Sequence, residues 1–305
     1  MKIFYRDRRT QEIREEQVYY GKMLHFLYGS FFGRGLCLLI TRFALFSYLF
    51  GWWQRRSFSR RKIAPFIKKF AVDPTEFALA IEEYPSFDAF FTRKLKKEAR
   101  PLVQGEEVAI IPADGRYLVY PHVDSCDGFV VKGKKFSLTT LVQNRELARR
   151  YEKGGMVIAR LCPTDYHRFH FPCSGIPGTP RLINGPLHSV SPIAIRKNLA
   201  LLVENKRVLT EYETEAGQIV MIEIGATNVG SIHQTFTPGR SYAKGEEKGY
   251  FSFGGSSMIL LFEPGQLIFD EDLVVNSQTH HETLCLFGQS LGRFIYKNSS
   301  SLSNK

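Results

Sequence analysis

The sequence predicts an α+β protein, with a helical, basic, membrane-associating region over residues 1–100 and a β-rich, largely antiparallel catalytic domain over residues 101–305. Three observations lead there. Charge is lopsided: residues 1–100 hold 20 Lys/Arg against 10 Asp/Glu, a net of +10, while the whole chain carries 41 − 30 = +11. The hydrophobic period changes near Pro101, from helical spacing to short β-rich runs. A composition of 44% apolar and 23% charged residues is that of a folded chain, not a disordered or fibrous one.

Residues 1–16 mix both charges and lack the apolar centre of a secretory signal. Between Glu16 and Asp73 no acidic residue occurs, while ten Lys/Arg, from Lys22 to Lys69, punctuate aromatic and aliphatic sequence. Arg34 and Arg42 interrupt the apolar runs, leaving each shorter than the roughly 18 residues that indicate a span. The expected setting is the interface of an anionic phospholipid membrane, with Trp52 and Trp53 at the headgroup boundary and residues 55–69 supplying cations. The other reading is a pair of core helices whose arginines snorkel outward. A nucleic-acid partner is not expected, because Leu, Ile and Phe dominate over spaced polar readers.

Asp73-Pro74-Thr75-Glu76 combines an N-cap, a first-turn proline and a capping carboxylate, predicting a short helix through Glu83 that Pro85 ends. Ser86 caps a second helix over residues 87–95. Beyond Pro101, strands are expected at residues 108–111, 117–120, 129–132, 156–161, 218–224, 258–262, 273–275 and 283–287, with a helix only over 138–151. Five scattered cysteines (Cys37, Cys126, Cys162, Cys173, Cys285) form no disulfide framework and favour a reducing, cytosolic setting.

Three segments carry candidate chemistry: Pro112-Ala113-Asp114-Gly115, residues 165–172 with His167 and His170, and Phe253-Gly254-Gly255-Ser256-Ser257. Together they supply Asp, His and Ser, the parts of an activated-serine triad. Two rival patterns are present. Gly288-Gln289-Ser290-Leu291-Gly292 satisfies the nucleophile-elbow pattern, but no Asp, Glu or His follows it. Cys162, His167, His170 and Cys173 are plausible zinc-ligand types, although Pro163 and Pro172 break the pattern and no common finger has this spacing; no metal is expected.

In ordered combination the motifs resemble the phosphatidylserine decarboxylase family. The matching stretches are Phe90-Phe91-Thr92-Arg93 with Ala99-Arg100-Pro101, the Pro-Ala-Asp-Gly segment, Lys132-Gly133-Lys134-Lys135 and Tyr166-His167-Arg168-Phe169-His170-Phe171-Pro172. Farther on come His188-Ser189-Val190-Ser191-Pro192, residues 225–232, and Lys244-Gly245-Glu246 leading to the Gly-Gly-Ser-Ser site. Many members of the family carry Leu-Gly-Ser-Thr at that site.

The resemblance implies a proenzyme that cuts itself between Gly255 and Ser256 into a β chain, 1–255, and an α chain, 256–305. Ser256 would attack the Gly255 carbonyl, His170 would take its proton, and Asp114 would orient His170. Ser256 would then become a pyruvoyl cofactor that captures the amine of phosphatidylserine as a Schiff base. Decarboxylation to phosphatidylethanolamine would release CO2 and serve phospholipid biosynthesis. His167 is expected either to protonate the former α-carbon or to support the site. The resemblance also implies a homodimer and a peripheral position on the cytoplasmic side of the cell membrane.

Overall fold

Alternation of apolar side chains over residues 156–161, 218–224 and 258–262 sends one set to each face of an extended chain. All three runs are buried on both faces, as central strands of a covered sheet must be. The computed structural model describes residues 3–16, 30, 33, 51–123, 137–188, 203–226, 232–252 and 256–296. The expected strand at 129–132, the motif at 132–135, Ser189 to Pro192, residues 227–231 and Gly254-Gly255 lie outside the described residues.

The chain opens with strands β1 (Phe4–Asp7) and β2 (Ile13–Glu15). Helices α1 (Ile63–Phe70) and α2 (Phe87–Phe91) follow, with 3-10 turns at Pro74–Glu76 and Ile81–Glu83 between them. Next come β3 (Val108–Ile110), β4 (Gly115–Tyr120), α3 (Leu138–Val142), α4 (Arg145–Tyr151) and β5 (Gly155–Leu161). β6 (Arg168–His170), β7 (Ile176–Pro177), β8 (Arg181–Ile183), β9 (Arg207–Thr214), β10 (Gly217–Gly225) and β11 (Ile232–Gln234) continue the chain. It closes with β12 (Glu247–Phe251), β13 (Ser256–Phe262), β14 (Leu267–Phe269), α5 (Glu271–Gln278), β15 (Glu282–Cys285) and β16 (Ser290–Phe294).

Ten strands form one sheet in the order β2-β1-β15-β4-β5-β13-β10-β9-β7, with β8 also on β9. Its pairings are antiparallel except β1 with β15. On one face, Tyr117, Ala159, Leu161, Met258 and Leu260 pack against Phe169, Phe251, Leu291 and Phe294 from two three-stranded sheets, β11-β12-β6 and β14-β16-β3. On the other, Ile158, Ile222, Ile224 and Ile259 meet Leu141, Leu147 and Tyr151 of α3 and α4. Each such large apolar side chain contributes about 2 kcal/mol on burial. A third cluster, rich in edge-to-face rings, joins α1 and α2 through Phe66, Phe77, Tyr84, Phe87 and Phe90.

The β-rich, mostly antiparallel architecture agrees with the sequence reading, and five local expectations differ; one is the helix expected over 87–95, which ends at Phe91, with Leu95 bridged to Phe77 as extended chain. Residues 1–100 are not uniformly helical, because the β1–β2 hairpin completes the large sheet on β15. The helix expected from Pro74 to Glu83 is two 3-10 turns separated by Phe77 in extended geometry. The helix expected over 138–151 breaks where Gln143 turns left-handed (φ +46) and Asn144 caps a new start through Leu147 N at 3.1 Å. Residues 273–275 lie in α5, not in a strand: the short aliphatic run Leu273-Val274-Val275 is outweighed by Asp270 at the N-cap with Glu271 and Asp272 in the first turn. Among the described residues no helix is long and apolar enough to cross a membrane.

Candidate active site

Ser256 is the first residue of β13, in register with Leu161 of β5 and Gly225 of β10. Strand alternation sends Ser256 to the face of Met258 and Leu260, and Ser257 to the opposite face with Ile259. The two adjacent serines therefore have different surroundings. Ser256 Oγ lies 3.3 Å from His167 Nδ1, whereas Ser257 Oγ is buried with no hydrogen-bond partner among the described residues. Only Ser256 faces an imidazole.

His167 follows a tight turn in which Asp165 N donates to Cys162 O (2.9 Å) and Cys162 N donates to Asp165 Oδ2 (2.7 Å). The Cys162 carbonyl also faces His167 Nε2 at 2.9 Å. A carbonyl only accepts, so Nε2 carries the proton and Nδ1 presents a bare lone pair to Ser256. The ring stacks on Phe91 at 3.9 Å, and Arg93 grips the same turn by donating to Thr164 O and Asp165 O at 3.3 and 3.4 Å. Burial pushes His167 down to about 3, and Arg93 adds to this, while the Cys162 carbonyl opposes it. His167 is therefore neutral at pH 7. At 3.3 Å its contact with the serine is longer than the usual 2.5–3.0 Å range for a hydroxyl donor.

His170 stands three residues later, at the end of β6, and an odd separation along an extended chain reverses side-chain direction. Its Nδ1 donates to Pro112 O at 3.2 Å, leaving Nε2 bare, and its ring stacks on Phe287 at 3.7 Å. Burial lowers His170 to about 4, with Glu247 opposing and Arg168 assisting. Asp114 accepts from Arg100 Nε (3.0 Å) and Nη2 (2.7 Å) and from Phe287 N (2.8 Å). Burial raises the Asp114 carboxyl and Arg100 counteracts it. Phe287 thus joins the two groups, its amide on Asp114 and its ring on His170.

Among the described residues, the Asp114, His170 and Ser256 expected to form a relay are not linked by direct hydrogen bonds; the imidazole beside the serine is His167. Sequence spacing could not decide this, because His167 ends the turn before β6 while His170 ends β6 itself, and the motif does not show where that strand begins. Arg93, Arg100, Phe91 and Phe287 have structural roles that the motif reading left unassigned. Arg100 marks itself only by its place in Ala99-Arg100-Pro101.

The rival patterns take other places. Ser290 begins β16, so its glycine-flanked segment leads into a strand and not the helix of a nucleophile elbow. Among the described residues no group of three or more His, Cys, Asp or Glu is placed to hold a metal ion.

Two expectations follow from this burial. Arg100→Met strands the Asp114 carboxylate and is expected to cost about 3–5 kcal/mol in chemical denaturation, with Asp114→Asn in the same chain recovering part of the loss. Equal costs for the single and double variants would contradict this account. Acidification is the second case. The native rings of His167 and His170 bind protons only near pH 3 and 4, whereas unfolded imidazoles do so near pH 6.5, so the unfolded state gains protons first as pH falls. Stability rises with pH across that window; going from pH 7 to 5 should remove about 2 kcal/mol per ring. A denaturation midpoint unchanged between those pH values would mean that both rings protonate inside the fold.

The site is thus a buried serine hydroxyl facing a neutral imidazole at the start of a central strand of a β-rich protein. Comparison with known proteins places the chain in a family. A family model described as phosphatidylserine decarboxylase matches residues 87–293. The chain is similar to the phosphatidylserine decarboxylase proenzymes of Chlamydia pneumoniae (50% identity over 290 residues, 95% of this chain and 96% of that one) and Chlamydia caviae (48% over 295 residues, 96% and 99%). That of Chlamydia muridarum is 48% identical over 292 residues, covering 95% and 97%. The chain belongs to the phosphatidylserine decarboxylase family.

Proposed function

We propose that this chain is a proenzyme that cleaves itself between Gly255 and Ser256 and then decarboxylates phosphatidylserine to phosphatidylethanolamine and CO2. The observation that carries the reading is the buried Ser256 hydroxyl facing a neutral imidazole at the start of β13. Family membership supports the substrate and the reaction class.

In the self-cleavage, Ser256 Oγ adds to the Gly255 carbonyl and the C–N bond breaks, turning an amide into an ester while the hydroxyl proton passes to a base and on to the freed amine. Elimination releases the 1–255 carboxylate and leaves dehydroalanine at 256; tautomerisation and hydrolysis release ammonia and leave a pyruvoyl ketone. The residues fit such a group, since β13 supplies a buried chain start with Leu161 and Gly225 on either side. When formed, the ketone supplies an electron sink for loss of the substrate carboxylate.

The base must become an imidazolium in passing. Arg93 disfavours that charge at His167, whereas at His170 Glu247 offsets Arg168 and Nε2 is bare. We therefore assign His170, oriented from the Asp114 side through Phe287, to the cleavage. His167 Nδ1, aimed at residue 256, is assigned to the decarboxylation. There the incoming substrate carboxylate raises its proton affinity, and His167 delivers the proton to carbon as CO2 leaves. The second reading makes His167 the cleavage base, and its 3.3 Å approach to Ser256 favours it.

The reaction is tested by incubating processed protein with phosphatidylserine vesicles and borohydride. An adduct is expected at residue 256 of the small fragment; product formation without one would overturn the cofactor.

The N-terminal region supplies a means of reaching the lipid. Trp52, Trp53 and Phe58 are 44%, 39% and 46% exposed, with Arg56 4.3 Å from the Trp52 ring centre and Lys62 Nζ 3.3 Å from that of Trp53. Exposed aromatic rings beside cations suit an anionic headgroup layer, and we assign the protein to the cytoplasmic face of the membrane as a peripheral homodimer. Replacing Trp52 and Trp53 together by Ala is expected to reduce flotation with phosphatidylglycerol vesicles about tenfold; unchanged flotation would remove these rings from the interface.

A further inference from the structure

Strand register places two arginines directly opposite each other, Arg116 on β4 and Arg160 on β5, both buried. Like charges across a strand pair repel, so carboxylates must lie between and around them. Asp165 takes Arg116 Nη1 at 2.5 Å, and Glu282 takes Arg160 Nη2 at 2.6 Å. Among the described residues Glu16 is the carboxylate that reaches both guanidiniums, hydrogen-bonded to Arg160 Nη2 at 2.6 Å and ion-paired without a hydrogen bond to Arg116 Nε at 3.6 Å. Its side chain is 6% exposed. Although burial opposes ionisation, the two arginines hold its carboxyl down at about 2.

This cluster sits beneath the turn that carries His167. Arg160 Nη1 donates to Cys162 Sγ at 3.0 Å, Glu16 Oε1 accepts from the same sulfur at 3.4 Å, and the Asp165 held by Arg116 accepts from Cys162 N. The Cys162 carbonyl in turn fixes the protonated nitrogen of His167. Glu16 comes from the far end of the chain, directly after β2, and is the last carboxylate before the acid-free stretch that runs to Asp73.

We infer that Glu16 is a positioning residue for His167: by bridging Arg116 and Arg160 it holds the 162–167 turn so that Nδ1 points at residue 256, making the N-terminal hairpin part of the decarboxylation machinery. The inference rests on the role assigned to His167 above. Without the carboxylate the facing guanidiniums separate, and the movement passes through Cys162 and Asp165 to the ring.

The test compares full-length wild type with Glu16→Gln and Glu16→Asp, using Arg9→Gln as an exposed control in the same hairpin. Self-cleavage, steady-state decarboxylation of phosphatidylserine vesicles and thermal midpoint are read for each. Nitrogen-15 resonances of His167 are recorded in the uncut Ser256→Ala background. Glu16→Gln is expected to cut normally, to lower kcat about tenfold at unchanged KM, and to replace the single Nε2–H tautomer by a mixture. Glu16→Asp should recover part of kcat, and Arg9→Gln should match wild type. Wild-type kcat in Glu16→Gln, or a loss of activity that only tracks a lower thermal midpoint with the tautomer unchanged, would overturn the inference while leaving the decarboxylase reading intact. A wild type that neither cuts nor decarboxylates would overturn that reading instead.

Discussion

Ser256→Ala is expected to leave one uncut chain of 305 residues where the wild type yields pieces of 255 and 50, and to lower decarboxylation by at least about 10⁴-fold, the scale on which loss of a nucleophile abolishes covalent catalysis. Intact mass spectrometry reads the first effect and product formation the second. Geometry sets the contrast with its neighbour. Ser257 points to the opposite face of the sheet and its buried hydroxyl has no partner among the described residues, so Ser257→Ala should cut at the wild-type rate and be neutral or slightly stabilising. The small piece contains β13, β14, α5, β15 and β16, with β13 flanked by β5 and β10, so both pieces should elute together until denaturant is added. Efficient cutting by Ser256→Ala would remove the nucleophile, and with it the pyruvoyl group.

His170→Ala and His167→Ala should divide the two half-reactions. His170→Ala is expected to slow self-cleavage by about 10²–10⁴-fold, the usual contribution of a positioned base. Asp114→Asn should act in the same direction, because Phe287 ties its carboxylate to the His170 ring. His167→Ala should still cut, since at His170 a carboxylate, Glu247, offsets the nearby arginine while at His167 Arg93 stands unopposed by one, yet its decarboxylation should fall by a similar factor. Removing a ring stacked on Phe91 also leaves a cavity, so His167→Gln serves as the better-filled comparison. The reverse result, with His167→Ala uncut and His170→Ala processed, would transfer the role of base to the ring that lies 3.3 Å from Ser256.

Much of the fold was legible in local pattern. The runs over 156–161, 218–224 and 258–262 are strands because β-branched and aliphatic residues recur without helix caps, and each is central to the sheet. Elements that depend on distant partners were not legible. β1 is four residues of mixed polarity whose extended form is completed by β15, some 275 residues away, and β6 is held by β12. In the site, the Asp, His and Ser types could be read from motifs, as could the adjacency of Gly255 to Ser256. The partnership of Arg100 with Asp114, the grip of Arg93 on the 162–167 turn and the stacking of Phe287 on His170 could not, because each joins segments whose separation in sequence carries no information about distance.

By itself the sequence determined the family this chain belongs to and the residue types on offer: a Gly-Ser bond, two nearby histidines, an Asp-Gly segment and a basic, aromatic N-terminal stretch. Side-chain identity and peptide order suffice for that. Only the tertiary structure decided which of two serines faces an imidazole, which of two histidines faces the serine, and that Glu16 lies under the active-site turn. Those outcomes depend on strand parity and register, which are set by packing over the whole sheet and not by any local run of residues.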